Sequence, residues 1–270
     1  MEYSEFQPAT SLRSCVECYW VAEGSSTTQK IVPDGFSEIV FHYGDLYKFK
    51  DHQGREKIQS RAILAGQITK PIYLTPTGNS GVIGIKFKPT GIWKLLGWGM
   101  AEFTDEAYDL QKFPDMDVAQ FIKQLCTLDT IQDRIKSIET TLLQLVPSQR
   151  ASTLDEIITA IDSSQGDVSM SSLQTQFDIS DRTMERMFKD QVGVSAKRYA
   201  RIVRFRYIFQ LIQKHEWSKA EATYLAGYFD QAHFNKEFKE FSGEDPGTYF
   251  ARHHEFANFF LNRPVGFLQD

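Results

Sequence analysis

The chain has 270 residues, and 41% of them are hydrophobic, which is enough for two ordinary domains that each bury a core. An aromatic content of 13% is typical of globular proteins and argues against a disordered chain. The net charge of -5 at pH 7 excludes a uniformly basic surface, and no apolar run approaches the ~20 residues that a membrane helix needs. The acidic N-terminus does not resemble a signal peptide, so we expect a soluble protein of the cytoplasmic type without a membrane partner.

Cysteines and histidines do not form a metal-ligand pattern. Cys15 and Cys18 are one C-x2-C pair, but a zinc site needs four ligands and no second pair stands at ligand spacing. Before residue 200 the histidines are His42 and His52, ten positions apart. We therefore expect buried free thiols, no metal, no cofactor and no catalytic residue, and we disfavour a metalloenzyme. Nucleophile-elbow, P-loop and dinucleotide glycine motifs are also missing from the sequence.

Residues 1–92 are predicted to form mainly strands. An apolar pair at 31–32 leads through the turn 33–35 into a second run at 39–41. We predict one hairpin from strands 46–49 and 57–64 around the turn 51–54. A second predicted hairpin pairs 72–75 with 82–87 around 76–81. Short strands at this spacing predict a sandwich or barrel, and a small barrel can hold one ligand.

Several aromatic residues of this half could surround a small effector. Aromatic residues in strands are more often plain core, and that interpretation stays open beside the pocket. The candidate pocket residues are Trp20, Phe36, Phe41, Tyr43, Tyr47 and Trp93.

Residues 93–146 are predicted to be helical. An apolar stripe at near-3.6 spacing runs from Ile131 to Leu145 and would pack against another surface, for which the chain's own β domain is one candidate. The polar, proline-marked segment 147–152 is the best linker. A further helix is expected near 153–162.

A twenty-residue stretch beginning at Ser180 recurs fifty positions later. In each copy a polar N-cap, Ser180 or Asp230, opens an amphipathic helix, and Gly193 or Gly243 suits a left-handed helix stop. Shorter helices are predicted upstream at 171–176 and 219–226. A helix, a tight turn and a second helix with polar residues outward is the helix-turn-helix plan, and two copies indicate two DNA contacts.

Positive charge is concentrated in the first copy. Residues 181–206 hold eight Lys and Arg against three acidic residues, a local +5 that could meet phosphate although the whole chain is acidic. A solvated charged face is the plainer interpretation of such a run. The repeat favours the DNA interpretation.

Residues 170–249 carry a family pattern. It includes Ser180-x3-Met184-x-Arg186-x-Phe188-Lys189-x3-Gly193, and then Gly227-Tyr228-x-Asp230-Gln231-x-His233-Phe234-x-Lys236-x-Phe238-Lys239-x3-Gly243-x2-Pro246-x2-Tyr249. This pattern resembles the tandem helix-turn-helix domain of AraC/XylS-type transcription regulators. Two departures are Asp178, where the family has a turn glycine, and Lys236, where it has an arginine. The ammonium of Lys236 donates hydrogen bonds from a single nitrogen, whereas an arginine guanidinium can donate two in parallel.

The resemblance implies a double-stranded DNA partner, a homodimer formed through the helical connector, and RNA polymerase as a partner if the protein is an activator. A second resemblance, to an uncharacterised effector-type domain found in some such regulators, is carried by residues 19–20, 33–35, 66–67, 84–89 and 91. The DNA-contacting residues carried over from the pattern are Ser180, Arg182, Thr183, Glu185, Arg186, Lys189, Gln231, Ala232, His233, Asn235, Lys236 and Lys239.

The expected fold class is α+β and multidomain. A β-rich barrel or sandwich (1–92) would sense an effector, a helical connector (93–146) would follow, and an all-α domain (153–254) would carry two helix-turn-helix units. The apolar segment 255–270 would pack on one of the domains. The expected function is sequence-specific DNA-binding regulation, with one protomer reading two consecutive major-groove segments. The alternative is an interaction scaffold or a small-molecule-binding module without DNA function.

Overall fold

A computed structural model describes residues 2–113, 117–215, 227–228 and 230–251. The predicted helix at 219–226 and the apolar segment 255–270 lie outside these residues. Among the described residues, no helix is long and apolar enough to cross a membrane.

Ten strands of the described chain form two antiparallel sheets in its N-terminal half. The larger sheet has the order β1-β2-β9-β4-β7-β10, and the smaller has the order β3-β8-β5-β6. Both sheets are open, which confirms the predicted β-rich half and selects two facing sheets over a closed barrel. The strands are β1 (Glu2–Phe6), β2 (Val16–Glu23), β3 (Gln29–Ile31), β4 (Ser37–His42), β5 (Tyr47–Lys50), β6 (Glu56–Ile58), β7 (Ala62–Ala65), β8 (Ile72–Pro76), β9 (Gly81–Phe87) and β10 (Ala107–Asp109).

The larger sheet is covered on both faces. Successive side chains of a strand point to opposite faces, and on β2 Trp20 packs toward the smaller sheet while Tyr19 and Val21 pack toward a layer of helices. On β4, Val40 and Phe41 divide in the same way. The double burial explains why nearly every residue of β2, β4 and β9 is buried, and not only every second one.

The two predicted hairpins have different outcomes. β5 and β6 do pair across the turn at 51–54, but β6 ends at Ile58 and the rest of the predicted strand is β7 of the larger sheet. The second predicted hairpin is wrong. β8 lies in the smaller sheet and β9 in the larger one, so the turn between them carries the chain from one sheet to the other.

Three helices follow the sheets: α1 (Gly91–Leu96), α2 (Val118–Thr127) and α3 (Ile131–Leu143). The apolar stripe of α3 enters the core below the larger sheet, where Ile135, Ile138 and Leu142 are buried. The stripe therefore packs on its own β half, which is the contact that the sequence left open beside a dimer. Strand β10, which was not predicted, lies in the same stretch of chain and completes the larger sheet.

The C-terminal half is helical. Within the described residues, its helices are α4 (Leu154–Ser163), α5 (Met170–Phe177), α6 (Asp181–Gln191), α7 (Ala196–His215), α8 (Gln231–Ser242) and α9 (Pro246–Phe250). The predicted caps are confirmed, because Ser180 accepts from the Thr183 amide and Asp230 accepts from the His233 amide. The predicted left-handed stop is present at Gly193, with φ of 96°. The turn residue Asp178 adopts the left-handed conformation without being glycine, with φ of 49°.

The β half docks directly on the helical half. Val32, in the loop between β3 and β4, shares a buried cluster with Ile202 of α7 and Phe238 of α8. In the same loop the carbonyl of Asp34 accepts a hydrogen bond of 3.0 Å from Nη1 of Arg206 in α7. The loop is therefore part of the core of the helical half.

Two further contacts hold the helix-turn-helix units. Below the larger sheet, the hydroxyl of Thr104 donates to the carbonyl of Gly193 at 2.6 Å, just beyond the end of α6. On the other side, Lys30 of β3 forms an ion pair with Glu244 after α8. Both α6 and α8 are thus fixed relative to the sheets.

We predict that Gly193→Ala is more destabilising than a glycine change that alters only backbone conformation. An added Cβ would lie 2.9 Å from the Met100 carbonyl oxygen, whereas at Gly54, with φ of 85°, it would meet nothing within 4 Å. Gly54→Ala should lower the free energy of unfolding by about 1 kcal/mol, and Gly193→Ala by about 2–4 kcal/mol. Denaturant unfolding of both variants measures the difference. An equal loss in the two would contradict the docked contact at Gly193.

Candidate functional site

The outward face of α6 carries the predicted DNA-contacting residues. Met184 and Phe188 are buried, and Ser180, Arg182, Arg186 and Lys189 are exposed on the opposite face. Thr183 and Glu185 are half-buried beside them. The helix buries one stripe only, so its charged side chains point to solvent.

Most of this charge is available for a partner. Within the described residues, Arg182 and Arg186 make no hydrogen bond or ion pair, and the pair that α6 does form joins Lys189 to Glu185 at 3.5 Å. Free guanidinium groups on a helix face can reach base edges or phosphates in a major groove.

The second predicted face lies on α8. Phe234 and Phe238 are buried, and the six predicted contact residues of this helix are all exposed. Their side chains supply two amides, one imidazole and two ammonium groups. The residues are Gln231, Ala232, His233, Asn235, Lys236 and Lys239.

The arginines of α7 have a different role from the one that the local charge indicated. Arg198 pairs with Glu240, and Arg201 binds both Glu237 (2.6 Å) and Glu240. These pairs tie α7 to α8. Half of the eight cations in 181–206 lie on α7 after Lys197, and the structure directs them inward, so the predicted local charge of +5 overstates the charge offered to DNA.

Arg204 and Arg206 complete this inward set. Arg204 donates to the Gly166 carbonyl at 3.0 Å, and Arg206 is buried against Asp34 and Asp162. The charge that remains on the exposed faces is that of α6, α8 and the exposed Lys197.

The pKa of Glu240 reflects its ion pairs with Arg198 and Arg201 of α7. Burial pushes the pKa of its carboxyl upward, but hydrogen bonds from Arg201 and Arg198 outweigh that effect and lower the pKa to about 2. The carboxylate is therefore charged over the whole physiological range and holds both guanidinium groups.

A second candidate site is a cavity between the two sheets. It has a volume of about 100 Å³, and its walls are mainly apolar. Trp20, Phe36 and Tyr47 of the predicted pocket line it, together with His42, which the sequence flagged only as a lone metal-type histidine. The sequence feature that could have identified His42 as a cavity residue is its position on β4. It lies two residues after Val40 and four after Glu38, which share its face.

The other three predicted pocket residues lie elsewhere. Phe41 faces the helices and packs edge-on against Phe121 at 5.5 Å. Tyr43 donates to Glu23 and does not line the cavity, and Trp93 lies under the guanidinium of Arg150. Strand alternation separates Phe41 from the cavity, because its neighbours Val40 and His42 occupy the other face.

Two polar side chains of the cavity have no hydrogen-bond partner among the described residues. Within the described part of the chain, both ring nitrogens of His42 and the hydroxyl of Tyr47 are buried without a hydrogen bond. The two rings lie 5.8 Å apart. Burial and the charge of Arg61 lower the pKa of His42 to about 4, so the imidazole is neutral at pH 7.

A buried ion cluster borders the cavity. The ammonium of Lys86 on β9 is fully buried, 2.7 Å from Asp34 and 3.6 Å from Glu38. Burial raises the pKa of Glu38, with Lys86 opposing the rise, and the pKa of Lys86 itself stays raised because the two carboxylates outweigh its burial. The ring of Phe36, which lines the cavity, lies within 4.9 Å of Lys86 Nζ and 5.1 Å of the Arg206 guanidinium.

The cysteines and histidines do not converge. Cys15 belongs to the core under the helices and Cys18 to the core between the sheets, so the two members of the C-x2-C pair lie on opposite sides of the larger sheet. His52 is exposed at the β5–β6 turn, far from the buried His42 in environment. Among the described residues, no group of three or more His, Cys, Asp or Glu could hold a metal ion.

Comparisons with known proteins agree with the two halves. Residues 173–252 match the model of a family described as "Helix-turn-helix domain", and residues 4–109 match a "Domain of unknown function (DUF6597)". The second match ends at Asp109, which is also the last residue of β10. No curated protein matches the sequence.

Solved structures similar to this chain include ToxT from Vibrio cholerae, with 14% identity over 86% of this chain and 97% of that chain and a TM-score of 0.48. ToxT from Vibrio cholerae O395 bound to (E)-4-(8-methylnaphthalen-1-yl)but-3-enoic acid has 10% identity, covers 89% of this chain and 97% of its own, and gives a TM-score of 0.48. The C-terminal domain of AraT, a response regulator from Geobacillus stearothermophilus, has 24% identity over 40% of this chain and 99% of its own, with a TM-score of 0.35.

We predict that Glu240→Gln loosens α7 from α8 in a pH-dependent way. A lowered carboxyl pKa stabilises the folded state above the unfolded pKa of about 4.5, and this stabilisation is lost as pH falls toward the folded value of about 2. The variant should therefore melt below the parent at pH 7, with the gap narrowing as pH falls below about 4.5. Thermal melts from pH 7 to pH 3 measure the gap. A difference in melting temperature that does not change with pH would contradict the ion pairs between Glu240 and the arginines of α7.

Proposed function

We propose that this chain, whose residues 173–252 match a helix-turn-helix family model and resemble the AraC type, is a cytoplasmic, sequence-specific DNA-binding transcription regulator. The observation that carries the proposal is the pair of exposed polar faces on α6 and α8. Arg182 and Arg186 of the first face have no internal partner among the described residues, although the arginines of α7 are paired. A helix gains little by exposing two like charges at i, i+4 unless an anionic partner meets them.

The spacing of the two faces supports reading of consecutive groove segments. Helix α7 lies between them and has 20 residues, which gives a length of about 30 Å at 1.5 Å per residue. Successive major-groove faces on one side of B-DNA lie about 34 Å apart. One protomer can therefore place α6 and α8 in neighbouring grooves, with Arg186 and Lys236 at the corresponding point of each helix.

The β half is proposed to regulate this reading. The loop 32–36 lies between the cavity and α7, and Thr104 holds the end of α6, so a change in the sheets reaches both helix-turn-helix units. A ligand shifts such an equilibrium only if it binds two states with different affinity. We propose binding and not catalysis for the cavity.

The second candidate function is an interaction scaffold without DNA function. Exposed charge on α6 and α8 alone would also fit an acidic protein partner. Retention of the full chain on duplex DNA but not on an acidic protein column, with retention lost as salt rises, distinguishes the two.

We predict different effects for three exposed cations. Arg186→Ala should relax preference at one base pair of the first half-site, because a bidentate guanidinium contributes about 1–3 kcal/mol of discrimination at a guanine edge. Lys239→Ala should weaken all sequences alike and lower the salt slope by about 1, as loss of a phosphate contact does. Lys236→Ala should lie between the two. Selection of sites from random DNA with each variant measures the preference.

Lys136→Ala is the matched control, since Lys136 is an exposed lysine of α3 in the other half of the chain. It should leave both affinity and preference unchanged. If Arg186→Ala lowers the melting temperature and keeps the parent's base preference, Arg186 braces the fold and does not read a base.

The family resemblance also implies a homodimer and, for an activator, a contact with RNA polymerase. Because the stripe of α3 is buried on its own sheet, we predict that any dimer uses another surface. Leu142→Asp, inside the core, should unfold the chain, whereas Leu143→Asp, at an exposed position, should leave the oligomeric state seen in sedimentation unchanged. Conversion of a dimer to a folded monomer by Leu143→Asp would place the contact on α3.

A further inference from the structure

The cavity between the sheets contains polar atoms that are buried and unpaired. His42 and Tyr47 are each 2% exposed, and neither His42 nitrogen nor the Tyr47 hydroxyl has a partner within the described residues. A buried polar group without a hydrogen bond destabilises the folded state. A neutral imidazole offers one donor and one acceptor, and a phenol offers both from one oxygen.

The size of the cavity limits its occupant. Its volume of about 100 Å³ is similar to that of an apolar cavity of about 150 Å³ that binds benzene. Side chains such as Trp20, Val40, Phe49 and Leu74 form most of the wall. The space therefore suits an apolar body of about one ring.

Charge limits the occupant further. The charged residues of the lining are all acidic: Asp34, Glu38, Asp105 and Glu106. No Lys or Arg lines the cavity among the described residues, so a buried anion would meet like charge without a counterion.

The four carboxylates do not call for a cationic ligand either. Lys86 lies close to both Asp34 and Glu38. Asp105 accepts from the amide and hydroxyl of Thr69 at 2.6 and 2.7 Å, and Glu106 lies 3.9 Å from Lys57. The unpaired groups that remain are neutral.

We propose that the cavity binds a small, uncharged, mainly apolar molecule of about one ring whose hydroxyl hydrogen-bonds His42 and Tyr47. This assigns a ligand class to the effector site and rests on the proposed function only for the consequence of binding, not for binding itself. Phe36 lines the cavity next to Asp34, whose carbonyl binds Arg206 of α7. An occupant that displaces Phe36 therefore changes the contact that holds the helical half.

The test uses the full chain and four compounds of one shape at pH 7. p-Cresol has the hydroxyl, toluene lacks it, 4-methylbenzoate carries a negative charge and 4-methylbenzylamine a positive one. Isothermal titration and ligand-observed NMR should give p-cresol an affinity about tenfold above that of toluene, the ratio expected from about one net hydrogen bond. Neither ion should bind measurably. Equal binding of p-cresol and toluene, or tightest binding of either ion, would overturn the proposal.

Two tyrosine variants locate the hydrogen bond. Tyr47→Phe removes an unpaired hydroxyl, so it should leave the melting temperature equal or higher and reduce p-cresol affinity toward that of toluene. Tyr19→Phe is the matched control, because Tyr19 is equally buried but donates to Glu139 on the other side of the sheet. It should lower the melting temperature and keep p-cresol affinity. A Tyr47→Phe variant that binds p-cresol as the parent does would overturn the assignment.

A third variant, His42→Phe, removes both unpaired ring nitrogens. It should weaken p-cresol affinity relative to toluene affinity, as Tyr47→Phe does, and unchanged selectivity in a folded variant would exclude His42 from the site.

The ligand titrations contain no DNA, so they succeed or fail independently of the regulator proposal. DNA affinity is then measured with and without saturating p-cresol. A change supports the effector role, while binding without any change leaves the ligand site intact and overturns its regulatory role.

Discussion

The buried ammonium of Lys86 constrains the loop through which the β half contacts the helical half. It is fully buried on β9, and removing an ammonium from water costs several kcal/mol unless opposite charge compensates it. Asp34 and Glu38 supply that charge, which fixes the loop between β3 and β4 against the larger sheet. Once Asp34 is held by its side chain, its backbone carbonyl is presented to Arg206 on α7. The position of the helical half thus depends on a charge pair inside the β half.

The same loop connects the two candidate sites. Phe36 forms part of the cavity wall, and Val32, four residues earlier, belongs to the core of the second helix-turn-helix unit. A segment of five residues therefore touches both the space between the sheets and the helices that present the proposed DNA-contacting faces. The contact between the cavity and the helical half is therefore made by packed side chains and not by a linker. Such side chains have few alternative arrangements because protein interiors are close-packed.

Charge distribution reconciles an acidic chain with a DNA partner. The chain has a net charge of -5, and the arginines of α7 in the basic run 181–206 pair inward with Glu237, Glu240 and Asp162. These pairs rigidify the scaffold between the two faces. The smaller set of exposed cations on α6 and α8 is then held at fixed spacing, which supports the proposed selective contact with DNA.

The sequence by itself determined the local features: the caps at Ser180 and Asp230, the stop at Gly193 and the outward charge of α6. Each depends on residues close in the chain, so spacing and side-chain type were enough. The tertiary structure alone decided which strands pair, since β8 and β9 look like a hairpin but lie in different sheets. It also decided which aromatic residues surround the cavity, because the face on which Phe41 lies depends on strand register. Finally, it decided which arginines are paired, because the partners of Arg201 and Arg206 lie 36 and 172 residues away. Pairing over such separations leaves no local signal, and only the folded chain brings those groups together.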